Sequence, residues 1–262
     1  MAAQSAAILF LGSEKSQSAI TPLMLDGKCL GQIDIVYLDR YLFRSSYEYL
    51  KSRVKIVKQN LQAIGGELKT QIKILAALVA TFWIIVILNE VIFENILLLS
   101  TGCGLRRGLN ALGIVPHSFI GLRGILFAPF LHGGFYHVLA NTVPFVVLGW
   151  FVMLRNIKDF YFVSVISALV GGLGTWIVGR PCSVHIGASG VIFGYFGYLL
   201  FRGYFERSFV AIAISIAIAI GYGGMIWGVL PTRSYISWEG HLFGFIGGIL
   251  AAKLLSPSKT TQ

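Results

Sequence analysis

The sequence predicts an all-α, multi-pass membrane protein, and three observations carry that expectation. Charged residues make up 12% and hydrophobic residues 56% of the 262-residue chain, whereas soluble domains carry about a quarter charged residues. Mean hydropathy is +0.76. Apolar runs recur through the chain, and a membrane helix needs about 20 such residues. Six spans can be drawn, at 74–99, 136–154, 160–178, 189–204, 209–230 and 238–255. They divide the chain into a cytoplasmic region (1–72), a six-span membrane domain (73–256) and a short tail (257–262).

At the amino end, the apolar run 6–11 has no basic leader and is too short for a signal peptide. Residues 23–30 read weakly as a hairpin around Asp26-Gly27. From Leu50, the residues Val54, Val57, Leu61, Ile64, Leu68 and Ile72 recur at steps of four and three, with Lys51, Arg53, Lys55 and Lys58 off that stripe. A basic amphipathic helix follows. Its expected place is the inner surface of the lipid bilayer, with pairing as a coiled coil the alternative. Gly65-Gly66 weakens its end.

The first span contains Asn89 and Glu90. A carboxylate at mid-membrane costs a few kcal/mol, so Glu90 is expected near an end, protonated or partnered. Residues 101–134 are too long for a turn and mix apolar with polar residues, with amphipathic pieces around 105–112 and 119–130. A structured first outer loop, partly in the outer leaflet, is the expectation.

The net charge of +10 is sorted by side rather than aimed at nucleic acid. With the amino terminus inside, the opposite loops keep only Arg106, Arg107, Arg123, Arg180 and Arg233. Positive-inside bias therefore puts both termini in the cytoplasm, as for a plasma-membrane protein. Cys103 and Cys182 fall in outer loops and Cys29 inside. Cys103 and Cys182 are on the same side and could pair, but spacing alone cannot establish a disulfide, so two free thiols are the favoured reading. No metal-ligand spacing appears, and no cofactor is expected.

All five histidines fall on the outer half of this topology. His137 and Asn141 open the second span one turn apart, on one helical face. Ser189 opens the fourth span, and His241 lies near the outer end of the sixth. Each alone has an ordinary reading, as a helix cap or as helix–helix glue. Four polar side chains at one depth on three spans point instead to a functional site. Glycines at 190, 194 and 197 on the fourth span, and at 240, 244 and 248 on the sixth, let those helices approach closely. That approach brings Ser189 within reach of His241, as an activated serine requires. Glu239 is two residues from His241 and on a helix points nearly the opposite way. A Ser–His dyad without a carboxylate is inferred.

These residues resemble a known family. Gly187-Ala188-Ser189-Gly190 resembles the G-x-S-G motif of rhomboid intramembrane serine proteases. His132, His137 and Asn141 resemble their second-span signature, and Gly240-His241 with Gly244 their sixth-span motif. Leu122-Arg123 looks like a variant of the Trp-Arg pair in their first outer loop. The resemblance implies a six-transmembrane-helix bundle with a water-filled outer cavity, Ser189 as nucleophile and His241 as base and then acid. It gives oxyanion stabilisation to His137, Asn141 and the Ser189 N–H, supporting roles to Gly187 and His132, and a ring stacked on His241 to Phe193. The implied partners are single-span membrane proteins cut near the outer face. A catalytically dead relative would lack Ser189 or His241, and a proton-relaying transporter would need polar groups through the whole membrane depth.

Overall fold

The structure is a computed structural model. It describes residues 20–25, 28–231 and 237–256, with side chains from residue 43 onward. The run 6–11, the turn residues 26–27 and the tail 257–262 lie outside the described residues. The chain divides into two compact units, Met1–Glu67 and Leu68–Gln262.

In the first unit, β1 (Ile20–Leu25) pairs antiparallel with β2 (Lys28–Asp34), so that Ile20 faces Asp34 and Leu25 faces Lys28. These strands flank Asp26-Gly27, where the hairpin was predicted. Helix α1 (Ile35–Leu88) begins immediately after. The sequence suggested a surface helix followed by a separate span, but α1 is unbroken. No proline interrupts it, and a glycine inside a helix costs only about 1 kcal/mol.

In the second unit, α1 ends at Leu88, short of the predicted 99. A π-turn (Asn89–Phe93) and a short α2 (Glu94–Ile96) follow. Asn89 is buried and makes this corner: its Oδ1 accepts from the Leu109 N–H (2.6 Å) and its Nδ2 donates to Glu94 Oε2 (3.2 Å). Glu90 is exposed. The segment up to residue 134 has structure of its own. Strands β3 (Leu98–Ser100) and β4 (Leu105–Arg107) form a hairpin. Two 3₁₀ turns (Leu109–Leu112, Ile120–Arg123), α3 (Gly124–Phe127) and a third 3₁₀ turn (Ala128–Phe130) follow. The amphipathic piece at 105–112 is therefore part strand, because Leu105–Arg107 finds a pairing partner. Arg123 stitches the segment together by donating to the carbonyls of Ser100 (2.6 Å) and Ala111 (3.2 Å).

Cys103 and Cys182 are joined in a disulfide, Cα atoms 5.4 Å apart, correcting the expectation of free thiols. Their 79-residue separation is invisible to spacing arguments, but Arg106 reaches the Cys182 carbonyl (3.3 Å), which shows the hairpin lying against that loop. Closing a loop of this size is worth about 4 kcal/mol in the chain-entropy picture. Cys103→Ser is expected to lower the unfolding midpoint by several degrees; thermal melts with and without reductant check this, and an unchanged midpoint would refute it.

The remaining helices are α4 (Phe135–Met153), α5 (Ile157–Val178), α6 (Ser189–Glu206), α7 (Phe209–Tyr222) running into a 3₁₀ turn (Gly223–Val229), and α8 (Trp238–Leu254). Asn156 caps α5 by accepting from the Lys158 N–H (2.8 Å), and Ser208 caps α7 from Ala211 (3.2 Å). Among the described residues, four helices are long and apolar enough to cross a membrane: Phe43–Ile96, Phe135–Met153, Ile157–Val178 and Phe209–Val229. The protein is an integral, multi-pass membrane protein. Helices α6 and α8 are less apolar for a physical reason. They pack most extensively on each other, and every residue from Val191 to Leu199 is buried. A buried helix needs small residues for close contact, whereas α7, with only Ala211 and Ile218 buried, needs an apolar outer surface.

The glycine faces of α6 and α8 meet. A Cβ on Gly244 would strike the carbonyl of Gly190, and one on Gly248 the carbonyl of Gly194. At the far end of α6 from Ser189, Arg155 pairs with Glu206 (3.0 Å) and Asp159 (3.4 Å), and Arg202 with Glu206 (3.0 Å). The register of α6 is thus held at both ends.

Candidate active site

Helix α6 starts at Ser189, but the residue in the cap position is Ala188, and no side chain caps this end. The hydroxyl of Ser189 is therefore not spent as an N-cap. The preceding turn is pinned by backbone bonds. Ile114 and His185 exchange two (3.0 and 2.9 Å), and the Gly187 N–H donates to the Ala128 carbonyl (2.8 Å). Gly187 has φ +117°, a conformation that side chains resist. A Cβ there would lie 2.8 Å from His137 Nε2 and 3.6 Å from Asn141 Nδ2. The bare Cα of Gly187 thus leaves a space toward which two donors point.

The state of each donor follows from its other contacts. Gly133 N–H donates to His137 Nδ1 (3.1 Å), so in the neutral ring the proton is on Nε2, the atom facing Gly187. Asn141 is buried, and its Nδ2 has no hydrogen-bond partner among the described residues. Buried amides are normally paired, so this donor is available to a ligand.

His241, on α8, is buried with its ring stacked on Phe193 of α6, centroids 4.1 Å apart and planes 9° from parallel. Its Nδ1 is 2.9 Å from the carbonyl oxygen of Gly228. A carbonyl only accepts, so Nδ1 carries the proton and Nε2 keeps its lone pair. Gly228 itself sits tightly: a Cβ there would come within 2.7 Å of the Phe193 ring.

Ser189, His241, His137 and Asn141 line one cavity of about 970 Å³. Gly187 lies against its His137 and Asn141 wall, and Phe193 stands behind His241. His132 lies behind His137, their rings 5.1 Å apart, and its Nε2 accepts from the Ala188 N–H (3.4 Å). Burial, helped by His137, lowers the pKa of His132 to about 4, so it is a neutral acceptor.

Two features of the cavity were not anticipated. Glu239, in the first turn of α8 as the predicted 238–255 span implies, also lines it. His185 bridges two elements. Its Nδ1 is 2.6 Å from Ser237 Oγ, just before α8, and its Nε2 is 2.7 Å from Ser183 Oγ. Ser183 already donates to the Arg180 carbonyl, so it accepts from Nε2–H, and Nδ1 accepts from Ser237. Burial holds His185 below the ordinary histidine range; Glu239 opposes that shift and Arg180 adds to it.

The Rhomboid domain family model matches residues 121–258, just over half of the chain. An uncharacterized protein of Mycobacterium tuberculosis is 41% identical over 156 residues, 56% of this chain and 65% of that protein. A Bacillus subtilis protein bearing the name "Putative rhomboid protease YdcA" is 33% identical over 132 residues, 49% of this chain and 65% of that one. RHOMBOID-like protein 1 of Arabidopsis thaliana is 30% identical over 131 residues, 46% of this chain and 31% of its own length. The chain thus matches slightly under two thirds of the length of the first two relatives. The matched region holds α4 to α8 and with them Ser189, His241, His137 and Asn141, so the chain belongs to the rhomboid family.

Proposed function

We propose that the protein is an intramembrane serine endopeptidase that cuts single-span membrane proteins near the outer face, using Ser189 and His241. The observation that carries the reading is the state of His241. Its Nδ1 proton is committed to the Gly228 carbonyl, which leaves Nε2 as a base in the cavity that Ser189 lines. In a Ser–His–Asp triad a carboxylate holds the histidine tautomer; here a backbone carbonyl serves.

In this mechanism Ser189 Oγ attacks the scissile carbonyl as its proton passes to His241 Nε2. The tetrahedral oxyanion is held by His137 Nε2–H, Asn141 Nδ2–H and the Ser189 N–H. That last donor is one of the unpaired N–H groups at the positive end of α6. Collapse breaks the C–N bond, and the proton on His241 goes to the departing amine. Water then attacks the acyl-enzyme, giving its proton to His241, and Ser189 is released. His132 supports the site through Ala188, and Phe193 holds the plane of His241. The positive-inside charge bias and the four apolar helices support a six-span topology, with α6 and α8 as the central spans and both termini cytoplasmic. A substrate helix must unwind to present its carbonyl, so helix-breaking residues near the cut are expected.

A fluorophosphonate probe tests the nucleophile: it should label the wild-type protein and not Ser189→Ala. Labelling that persists in Ser189→Ala, or is absent from folded wild type, would overturn the reading. Asn141→Ala should lower kcat by about 10²–10³ while leaving probe binding measurable, since one oxyanion donor is worth roughly 3–4 kcal/mol. A change in KM alone would remove Asn141 from that role.

A further inference from the structure

One face of α1 is already occupied along its C-terminal half. Leu75, Phe82 and Asn89, seven residues apart, are all buried. Leu75 lies against Gly149, and Phe82 against Phe145, with ring centroids 5.0 Å apart. Counting back in sevens from Leu75 gives Leu68, Leu61, Val54 and Tyr47. The positions three residues after or four before these hold Gln71, Ile64, Val57, Leu50 and Phe43. The alternation of four and three therefore runs in one phase from Phe43 through the buried contact. Yet the apolar members before Gln71 are exposed, from 42% at Leu68 to 71% at Phe43.

The width and period of this seam say what covers it. Apart from Tyr49, Ile56 and Ala63, the apolar residues of this stretch hold to two positions in seven, between Lys51, Arg53 and Lys58 on the flanks. A helix lying in lipid presents a broader apolar arc at a 3.6-residue period. A strict seven-residue repeat drifts by about 20° per heptad on a straight helix, and stays on one face only when two helices supercoil. We propose that residues 43–68 of α1 pair in a parallel coiled coil with the same residues of a second copy, through positions in the same heptad phase as the buried Leu75 and Phe82. Copies inserted the same way in one membrane present their α1 helices in the same direction, and identical seams match in register. The cost is electrostatic, since Arg53 of one copy faces Lys58 of the other across the flanks. Association therefore strengthens with salt, whereas binding of these cations to anionic lipid weakens. The segment lies outside the matched family region, and the inference is independent of the site at Ser189.

The test is disulfide trapping of the full-length protein in membrane vesicles, with Cys29→Ser as background. Leu50→Cys, Val54→Cys, Val57→Cys and Leu61→Cys should each give a covalent dimer on oxidation; Ser52→Cys, Lys55→Cys and Gln59→Cys should not. The yield should rise as salt goes from about 0.05 to about 0.5 M, which shortens the screening length. Val54→Glu combined with Leu61→Glu should abolish the Val57→Cys dimer while the protein still inserts. Equal trapping at all positions, or none, would overturn the proposal. So would seam cysteines shielded from aqueous maleimide only by anionic-lipid vesicles at low salt, which would assign the seam to the membrane surface.

Discussion

Ser189→Ala and His241→Ala are each expected to abolish cleavage of a single-span reporter, by about six decades in rate, while the protein still inserts and folds. That is the loss that follows removal of either the serine or the histidine in a soluble serine protease. In the proposed mechanism the two side chains act as one unit. Without His241 Nε2 nothing takes the Ser189 proton, and without Oγ there is no proton to take. The double variant should therefore be no slower than either single one, and the residual rate should come from the His137 and Asn141 donors. Neither change should unfold the protein, since Ser189 does not cap α6 and His241 lines the cavity, where water can fill the space its ring leaves. Reporter cleavage in reconstituted vesicles measures this. Activity above roughly a hundredth of wild type in either variant would eliminate the dyad.

Gly248→Ala is expected to cost more than about 3 kcal/mol, the upper end of what single substitutions commonly cost. The added Cβ would collide with the Gly194 carbonyl oxygen and come within 2.7 Å of its carbon and 2.8 Å of the Tyr198 nitrogen. Those are backbone atoms of a wholly buried stretch of α6, so no rotamer change relieves the clash. The helices must separate. Separation would also pull His241 away from Ser189, so cleavage should fall with stability. Gly221→Ala on α7 is the control: its Cβ meets nothing within 4 Å, and alanine favours helix by about 1 kcal/mol. Thermal unfolding of the two variants should shift in opposite directions. A wild-type midpoint for Gly248→Ala would show that the glycine contact is not tight.

Much of the candidate site was legible because membrane burial makes polar residues conspicuous. Ser189, His137, Asn141 and His241 stood out as polar groups at one depth of an apolar chain, and their spacing put them at helix ends. The meeting of α6 and α8 was legible because close backbone approach demands small residues. Less legible were features held by the backbone or by distant contacts. The Gly228 carbonyl has no residue-type signature, since any residue carries one. That Glu239 also lines the cavity has no signature in helical angles, which say where a side chain leaves the axis and not what surrounds it. The Cys103–Cys182 link depends on the hairpin β3–β4 reaching a loop 79 residues away.

By itself the sequence determined that the protein is a membrane protein, roughly where its helices run, and which residues are the candidates for its chemistry. Those properties follow from hydropathy and helical periodicity, which are local and additive along the chain. Only the tertiary structure decided that α1 is one helix ending in a buried Asn89 corner and that His241 is oriented by a carbonyl. It also decided that the donors of His137 and Asn141 converge on the space left bare by Gly187. Convergence of groups far apart in sequence is set by how helices pack, and packing is decided by backbone contacts that composition does not record.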